Sequence, residues 1–124
     1  MANGTIAFDT LSTSGQISGT AKSVDTDYLV SGCAKAWVYA LDNALSDAFN
    51  IASSTDNGTG DYTFTFSSSM ANATFAVTAT SNEDSNVNIF NPSRATTSYN
   101  IEVKVSDGTS YDKNTGSVTQ GDLA

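Results

Sequence analysis

Apolar and hydroxyl-bearing residues alternate along several segments of the chain. In residues 62–66 aromatic side chains fall on the even positions and threonines on the odd ones, and a similar two-residue period runs through 74–80 and 99–105. Because successive side chains of a strand point to opposite faces of a sheet, this period predicts strands with one buried face. The aromatic residues predicted to enter the core are Phe49, Tyr62, Phe64, Phe66 and Phe75. For four others the pattern leaves core and surface equally open, namely Tyr28, Phe90, Tyr99 and Tyr111.

Two hairpins are predicted from the residues between these strands. The segment 48–52 is joined to the strand at Tyr62 through 56–61, whose Asn57-Gly58 step suits the positive φ angles of a tight turn. Residues 107–110 are predicted to join the strand ending near Val105 to a last strand that runs from Tyr111 to about Val118. Residues 119–124 have the composition of a frayed tail.

The segment Ala34 to Ala40 is predicted to be a central strand packed on both sides, since Lys35, Trp37 and Tyr39 share one face and small residues form the other. Short helical turns are predicted only at 41–47 and 68–72. Residues 1–30 contain short apolar segments, among them Thr5 to Phe8 and Val24 to Val30, in a Ser/Thr/Gly-rich context.

These patterns predict an all-β fold, a single small antiparallel β-sandwich of jelly-roll-like type formed by residues 31–124 and preceded by an extended arm at 1–30. Such an arm either pairs with a neighbouring chain, because isolated edge strands leave backbone groups unpaired, or completes the sandwich of its own chain. Both alternatives stay open. The length of 124 residues with 39% hydrophobic residues suits one core of ordinary size.

The charge excludes several classes of partner. The formal net charge is -8, with 13 acidic and 5 basic residues, so the surface field repels phosphate backbones and anionic membranes. No apolar run approaches the roughly 18 residues that cross a bilayer, and the N-terminus lacks the pattern of a signal peptide. We therefore expect no nucleic-acid binding, no membrane insertion and synthesis in a cytoplasm.

Catalytic chemistry is not expected. The chain has no histidine, which excludes Ser-His-Asp and Cys-His arrangements, and the single cysteine, Cys33, is predicted to be a small packing residue. A carboxylate pair remains formally open at Glu83-Asp84 or at Asp42 with Asp47, although acidic residues in such polar loops are ordinarily solvated. We therefore predict no catalytic residues.

No cofactor or metal site is predicted either. Asp25 with Asp27, and Asp56 with Asp61, offer oxygen ligands of the kind that calcium prefers, but their spacing matches no EF-hand and Asp is a default turn residue. Arg94 and the four lysines are scattered and are interpreted as surface charges. The glycosylation-type triplets at Asn3, Asn57 and Asn72 are interpreted as turn chemistry. Trp37, Tyr39 and Tyr111 either line a carbohydrate-binding surface or pack in the core.

Three runs carry a resemblance to a known family. They are Ala34-Lys35-Ala36-Trp37-Val38, the hairpin sequence from Asp47 to Phe64, and Met70-Ala71-Asn72-Ala73-Thr74-Phe75-Ala76-Val77. Over 31–80 the chain resembles a small β domain of virion proteins in marine tailed phages, including cyanophages, where it often forms the tip of a tail fibre. Two departures are the sequence Ala40-Leu41-Asp42-Asn43 in place of a glycine-rich turn, and the absence of a preceding fibre shaft.

The resemblance implies a non-enzymatic structural protein of a bacteriophage particle, made in the host cytoplasm and located in the virion. The second departure favours a stand-alone capsid decoration or fibre-knob protein, docked to other virion proteins through the arm. The resemblance further implies a homo-oligomer, with a trimer favoured, that exposes the loops around Asn57 and Asn82. The alternative is a receptor-binding fibre tip that recognises a host glycan or protein.

Overall fold

A computed structural model describes residues 16–18, 23–25, 32–81, 87–90 and 93–124, and the side chains within 32–81 and 93–124. This part of the chain forms β-strands joined by turns. The strands are β1 (Gln16–Ser18), β2 (Ser23–Asp25), β3 (Ala36–Leu41), β4 (Ala44–Phe49), β5 (Ile51–Gly58), β6 (Asp61–Phe66), β7 (Ala76–Ser81), β8 (Val87–Phe90), β9 (Arg94–Ala95), β10 (Ser98–Val105) and β11 (Thr115–Gln120).

Two antiparallel sheets contain most of the strands. The order is β4-β3-β11-β7 in the first, which we call the four-stranded sheet. In the second it is β5-β6-β10-β8, with the short β9 also paired to β10, and we call this the β6/β10 sheet. Strands β1 and β2 pair with each other in a separate antiparallel sheet. The predicted all-β fold and antiparallel β-sandwich are confirmed.

The core lies between the inner faces of the two sheets. The alternation predicted for β6 is observed, because its aromatic side chains are buried and its threonines are half-buried. In β10 Tyr99, Ile101 and Val103 are buried and Glu102 and Lys104 are half-buried, although Asn100 is also buried. Tyr99, which the sequence left open, is buried and lies 5.5 Å from Phe64 between ring centroids. The buried apolar residues are Ala36, Val38, Ala40, Tyr62, Phe64, Phe66, Met70, Phe75, Tyr99, Ile101 and Val103.

Strand β11 buries its polar side. Thr115, Ser117 and Thr119 are buried, whereas Val118 between them is 42% exposed. The Ser117 hydroxyl lies 2.7 Å from the Tyr99 hydroxyl, so this pair is satisfied inside the core. Within the described residues the Thr115 hydroxyl has no hydrogen-bond partner. Small hydroxyl side chains therefore fill the inner face of a central strand, and its one valine faces outward.

The chain crosses from one sheet to the other at Asn50, between β4 and β5. Asn50 has a φ of 56°, a left-handed conformation that Asn tolerates better than most residues. Its side-chain amide donates to the carbonyls of Lys35 and Ser68, and its Oδ1 accepts from the Ser68 N–H. One side chain thus ties the start of β3 to the segment after β6.

Several predictions about local structure are wrong. Residues 41–47 form the turn between β3 and β4 and then a strand, and 68–72 contain bends and a bridge between Met70 and Leu123 but no helical turn. The hairpin at 56–61 exists, but Asp56 and Asn57 belong to β5 and the turn lies at Thr59-Gly60. Here backbone pairing extended the strand through residues that favour turns.

The C-terminal segment also differs from the prediction. The last strand begins at Thr115, because residues 109–111 pair only briefly with β10 before the chain crosses to the other sheet. The segment after it is not frayed, since Ala71 donates to the Asp122 carbonyl and Ala124 donates to the Ser69 carbonyl.

The predicted arm lies mostly outside the described residues. Of it only β1 and β2 are described, and the predicted strand at 5–8 is not. Pairing of the arm with a neighbouring chain stays a prediction. In the described part of the chain, no helix has the length and apolar character required to cross a membrane.

Candidate functional site

The outer face of the four-stranded sheet carries a row of large apolar side chains. Trp37 of β3 lies directly opposite Phe49 of β4 on one side and Val118 of β11 on the other. Their exposed fractions are 36%, 54% and 42%. Leu41, farther along β3 on the same face, is 47% exposed. We call this surface, with the half-buried Tyr39, the apolar face.

A shallow groove runs across the apolar face where a glycine replaces a side chain. Gly116 lies in β11 between Tyr39 of β3 and Thr80 of β7. The groove has a volume of about 340 Å³, and Trp37 and Val118 are among the residues that line it. Cross-strand neighbours on one face normally fill such a space. The missing side chain at Gly116 therefore creates the depression.

Charge is nearly absent from the apolar face. The strand pairings place one charged residue on it among the described positions, Asp47, which lies opposite Tyr39. The neighbouring outward positions of β7 hold Thr78 and Thr80. In a chain of net charge -8, a surface with so little charge is a local exception.

The outer face of the β6/β10 sheet is polar. Asp61 accepts hydrogen bonds from the side-chain amides of Asn57 and Asn100, and Asn57 also donates to the Thr63 hydroxyl at 2.8 Å. Lys104 pairs with Glu102 at 2.6 Å on the same face. A solvated sheet face has this chemistry, whereas the apolar face does not. The sandwich is thus chemically asymmetric.

A second polar cluster closes one end of the sandwich. The Tyr62 hydroxyl emerges from the core and lies 2.7 Å from Asp42 Oδ1 and 3.1 Å from Asp112 Oδ1, and it accepts the Lys113 N–H. Asp112 also accepts the Gly60 N–H at 2.7 Å. These contacts join the β3–β4 turn, the β5–β6 turn and the segment before β11.

Burial is the main reason that the pKa of the Tyr62 phenol lies above its usual range, and the hydrogen bond to Asp42 adds to the effect. The pKa of Tyr99 is also raised by burial, against a smaller opposite effect of its hydrogen bond with Ser117. Both phenols are therefore held neutral. Tyr62 acts here as a neutral hydrogen-bond donor that fixes the end of the sandwich.

The carboxylates singled out from the sequence each have contacts of their own in the described residues. Asp42 contacts Tyr62, while Asp47 accepts the N–H of Ala48. Asp56 accepts a hydrogen bond from the Gly58 N–H, and Asp61 accepts one from the side-chain amide of Asn57. Among the described residues, no group of three or more potential metal ligands occurs. Glu83, Asp84, Asn82 and Asp27 lie outside the described residues, as does the side chain of Asp25.

Four residues lie elsewhere than predicted. Phe49 is exposed rather than in the core, and Cys33 is exposed rather than packed. Lys35 is buried, at 9% exposure, rather than a free surface charge. Strand β3 is central as predicted, but its outer face at Trp37 is open instead of packed. Tyr111 is 46% exposed but is not among the residues that line the groove.

The side chains of Trp37 and Tyr39 were recognisable from sequence as sharing a face, but Val118, Gly116 and Phe49 were not linked to them. Only the pairing of β11 and β4 with β3 brings those residues together. Comparisons of the chain with protein-family models, with curated proteins and with solved structures find no match.

Proposed function

We propose that this protein is a non-enzymatic structural component that works by assembly, with the apolar face as its contact surface. The observation that carries the proposal is the difference between the two outer faces. A sandwich that works alone gains nothing from exposing Trp37, Phe49 and Val118 in one cross-strand row, because each retains apolar area in contact with water. A partner that covers the row removes that cost.

The particle in which it assembles is proposed from the sequence resemblance. That resemblance is to virion domains of tailed phages, and it makes the protein a capsid decoration or fibre-knob component bound to other virion proteins. The packed core supports such a role, since the aromatic rings of Phe64, Phe66, Phe75 and Tyr99 meet in tilted and edge-to-face contacts.

Particle association tests this proposal. Particles are purified on a density gradient from lysates of cells infected with the phage that encodes the protein, and each fraction is analysed by mass spectrometry. We expect the protein to sediment with the capsid or tail proteins at a constant ratio. Its recovery only in the slowly sedimenting, particle-free fractions would refute a structural role in the particle.

A second candidate function is recognition of a host glycan. It is favoured by the position of Trp37, 36% exposed, beside an apolar groove, because indole rings stack on the apolar faces of sugars. A glycan array probed with the native protein and with Trp37→Ala tests this function. Saturable binding that the substitution abolishes would support it, with Tyr111→Ala as the matched aromatic control outside the groove.

A further inference from the structure

The apolar face has the features of a surface that recognises itself. We infer that two copies of this chain pack apolar face to apolar face about a two-fold axis, with Trp37 of each copy in the groove over Gly116 of the other. This inference rests on the proposed function and deepens it by naming the first partner as a second copy of the chain.

Shape is the first argument. Trp37 and Gly116 lie on neighbouring strands, β3 and β11, at diagonal positions, because Trp37 pairs with Val118 and Tyr39 pairs with Gly116. The face therefore carries a large ring and a depression side by side. A two-fold interface is isologous, so residue i contacts residue j and j contacts i. An axis between the two positions places each ring over the partner's depression, which fills both grooves at once.

Charge is the second argument. Two copies of a chain with net charge -8 repel each other, and the repulsion is smallest where the approaching surfaces are uncharged. The apolar face comes closer to this condition, since Asp47 is the one charged residue that the described pairings place on it. The outer face of the β6/β10 sheet does not, because Asp61, Glu102 and Lys104 lie there. Self-association through the apolar face is therefore favoured over the opposite face.

Area is the third argument. Four strands of about six residues make a surface of roughly 20 Å by 20 Å, so two faces bring together about 800 Å² in projection. The accessible area is larger because it follows the side chains. It approaches the total of about 1,000 Å² expected for a specific interface, at the weaker end of the range. We expect a dimer with a micromolar dissociation constant.

A two-fold dimer differs from the trimer that the sequence resemblance implies. An isologous contact closes after two copies, whereas a trimer needs a head-to-tail contact between two different patches. The number of copies therefore tests the geometry of the contact directly.

The experiment measures mass by sedimentation equilibrium for the purified full chain between about 1 and 300 µM. We compare the native protein with Val118→Lys and with Thr55→Lys. Thr55 is exposed on β5, opposite Thr63 on the polar outer face. Both substitutions change the net charge from -8 to -7, so only the position of the lysine differs.

The native protein and Thr55→Lys are expected to dimerise, whereas Val118→Lys raises the dissociation constant at least ~100-fold, since two unpaired lysines are buried at the interface. Gly116→Ala provides a milder test within the same strand. A Cβ there lies 3.8 Å from Thr80 Cγ2 and 3.9 Å from Tyr39 Cδ2, which are ordinary contacts, so the protomer accepts it. It partly fills the groove and weakens the dimer by roughly 10-fold.

Thermal melts followed by circular dichroism verify that each variant is folded. A native monomer over the whole range, a trimer, or a dimer that Val118→Lys leaves intact would each overturn the inference. A monomer that binds a glycan through Trp37 would assign the face to a sugar instead. Because the assay uses purified protein, its failure is distinguishable from failure of the particle association on which the proposed function depends.

Discussion

Asn50 connects the two sheets, and its substitution separates two physical effects that act on the same residue. The first is hydrogen bonding, since its side chain makes three hydrogen bonds to backbone groups of Lys35 and Ser68. The second is conformation, since its φ of 56° lies in the left-handed region. Glycine removes the side-chain hydrogen bonds but adopts the left-handed conformation easily. Alanine removes the same hydrogen bonds and is also strained in that conformation.

The magnitude follows from the surroundings of each bond. A typical hydrogen bond contributes about 1 kcal/mol net, but Ser68 is exposed and water can replace part of its contribution. The Lys35 carbonyl belongs to a buried residue, so the loss there is not fully replaced. We expect Asn50→Gly to lower the free energy of unfolding by about 2 kcal/mol. Asn50→Ala is expected to cost about 1 kcal/mol more, because a Cβ is unfavourable in the left-handed conformation.

Equilibrium unfolding in urea, followed by far-UV circular dichroism at one fixed protein concentration, measures the effect. With a slope of about 1.5 kcal/mol per M, the glycine variant should unfold roughly 1 to 1.5 M earlier than the native protein. The order of the two variants is the sharper test. At an ordinary strand position alanine is more stable than glycine, whereas here glycine should be the more stable.

Two results would refute this reasoning. If Asn50→Ala is as stable as Asn50→Gly or more so, the left-handed conformation does not limit this position. If both variants unfold within about 0.3 M urea of the native protein, the side-chain hydrogen bonds do not hold the crossing between the sheets.

Three further predictions use matched variants. Because the pKa of Tyr62 is raised in the folded state, the native protein keeps the phenol proton while the unfolded chain loses it above about pH 10. The contribution of Tyr62 to the free energy of unfolding is therefore fully present below that pH and falls by up to ~1.4 kcal/mol per pH unit above it. Tyr62→Phe should lose stability less steeply with pH in urea unfolding at pH 9 to 11.5, and parallel profiles would contradict the shift. Thr115→Val should raise the free energy of unfolding by about 1 kcal/mol, because it removes a buried hydroxyl without a partner in the described chain. Ser117→Ala should lower it by a similar amount, because it removes the hydroxyl that lies 2.7 Å from the Tyr99 hydroxyl. Equal effects of the two substitutions in calorimetry would show that the core hydroxyls are equivalent. Gly60→Ala should lower the free energy of unfolding by more than about 3 kcal/mol and reduce the yield of folded protein, since a Cβ there lies 2.7 Å from two carbonyl oxygens. The control Gly58→Ala places a Cβ that meets nothing within 4 Å and is destabilised only by its unfavourable φ of 137°. A Gly60→Ala protein as stable as Gly58→Ala would exclude this close approach.

The sequence determined the fold class and the inner faces of the strands richest in aromatic residues. In β6 and β10 large apolar residues recur at every second position, and burying them outweighs other local preferences, so the period alone identifies both strand and face. The resemblance to a virion domain is likewise a property of the sequence, and it remains a proposal.

Only the tertiary structure decided which residues form the apolar face. Phe49 and Ile51 have the same parity and look like one buried face, but the left-handed Asn50 between them sends the chain to the other sheet and leaves Phe49 outside. In β11 small hydroxyl side chains alternate with Gly116 and Val118, so neither side is clearly apolar, and the register with β3 selects the buried one. A two-residue period is a local quantity, whereas the face that it buries depends on pairing with strands far away in the chain.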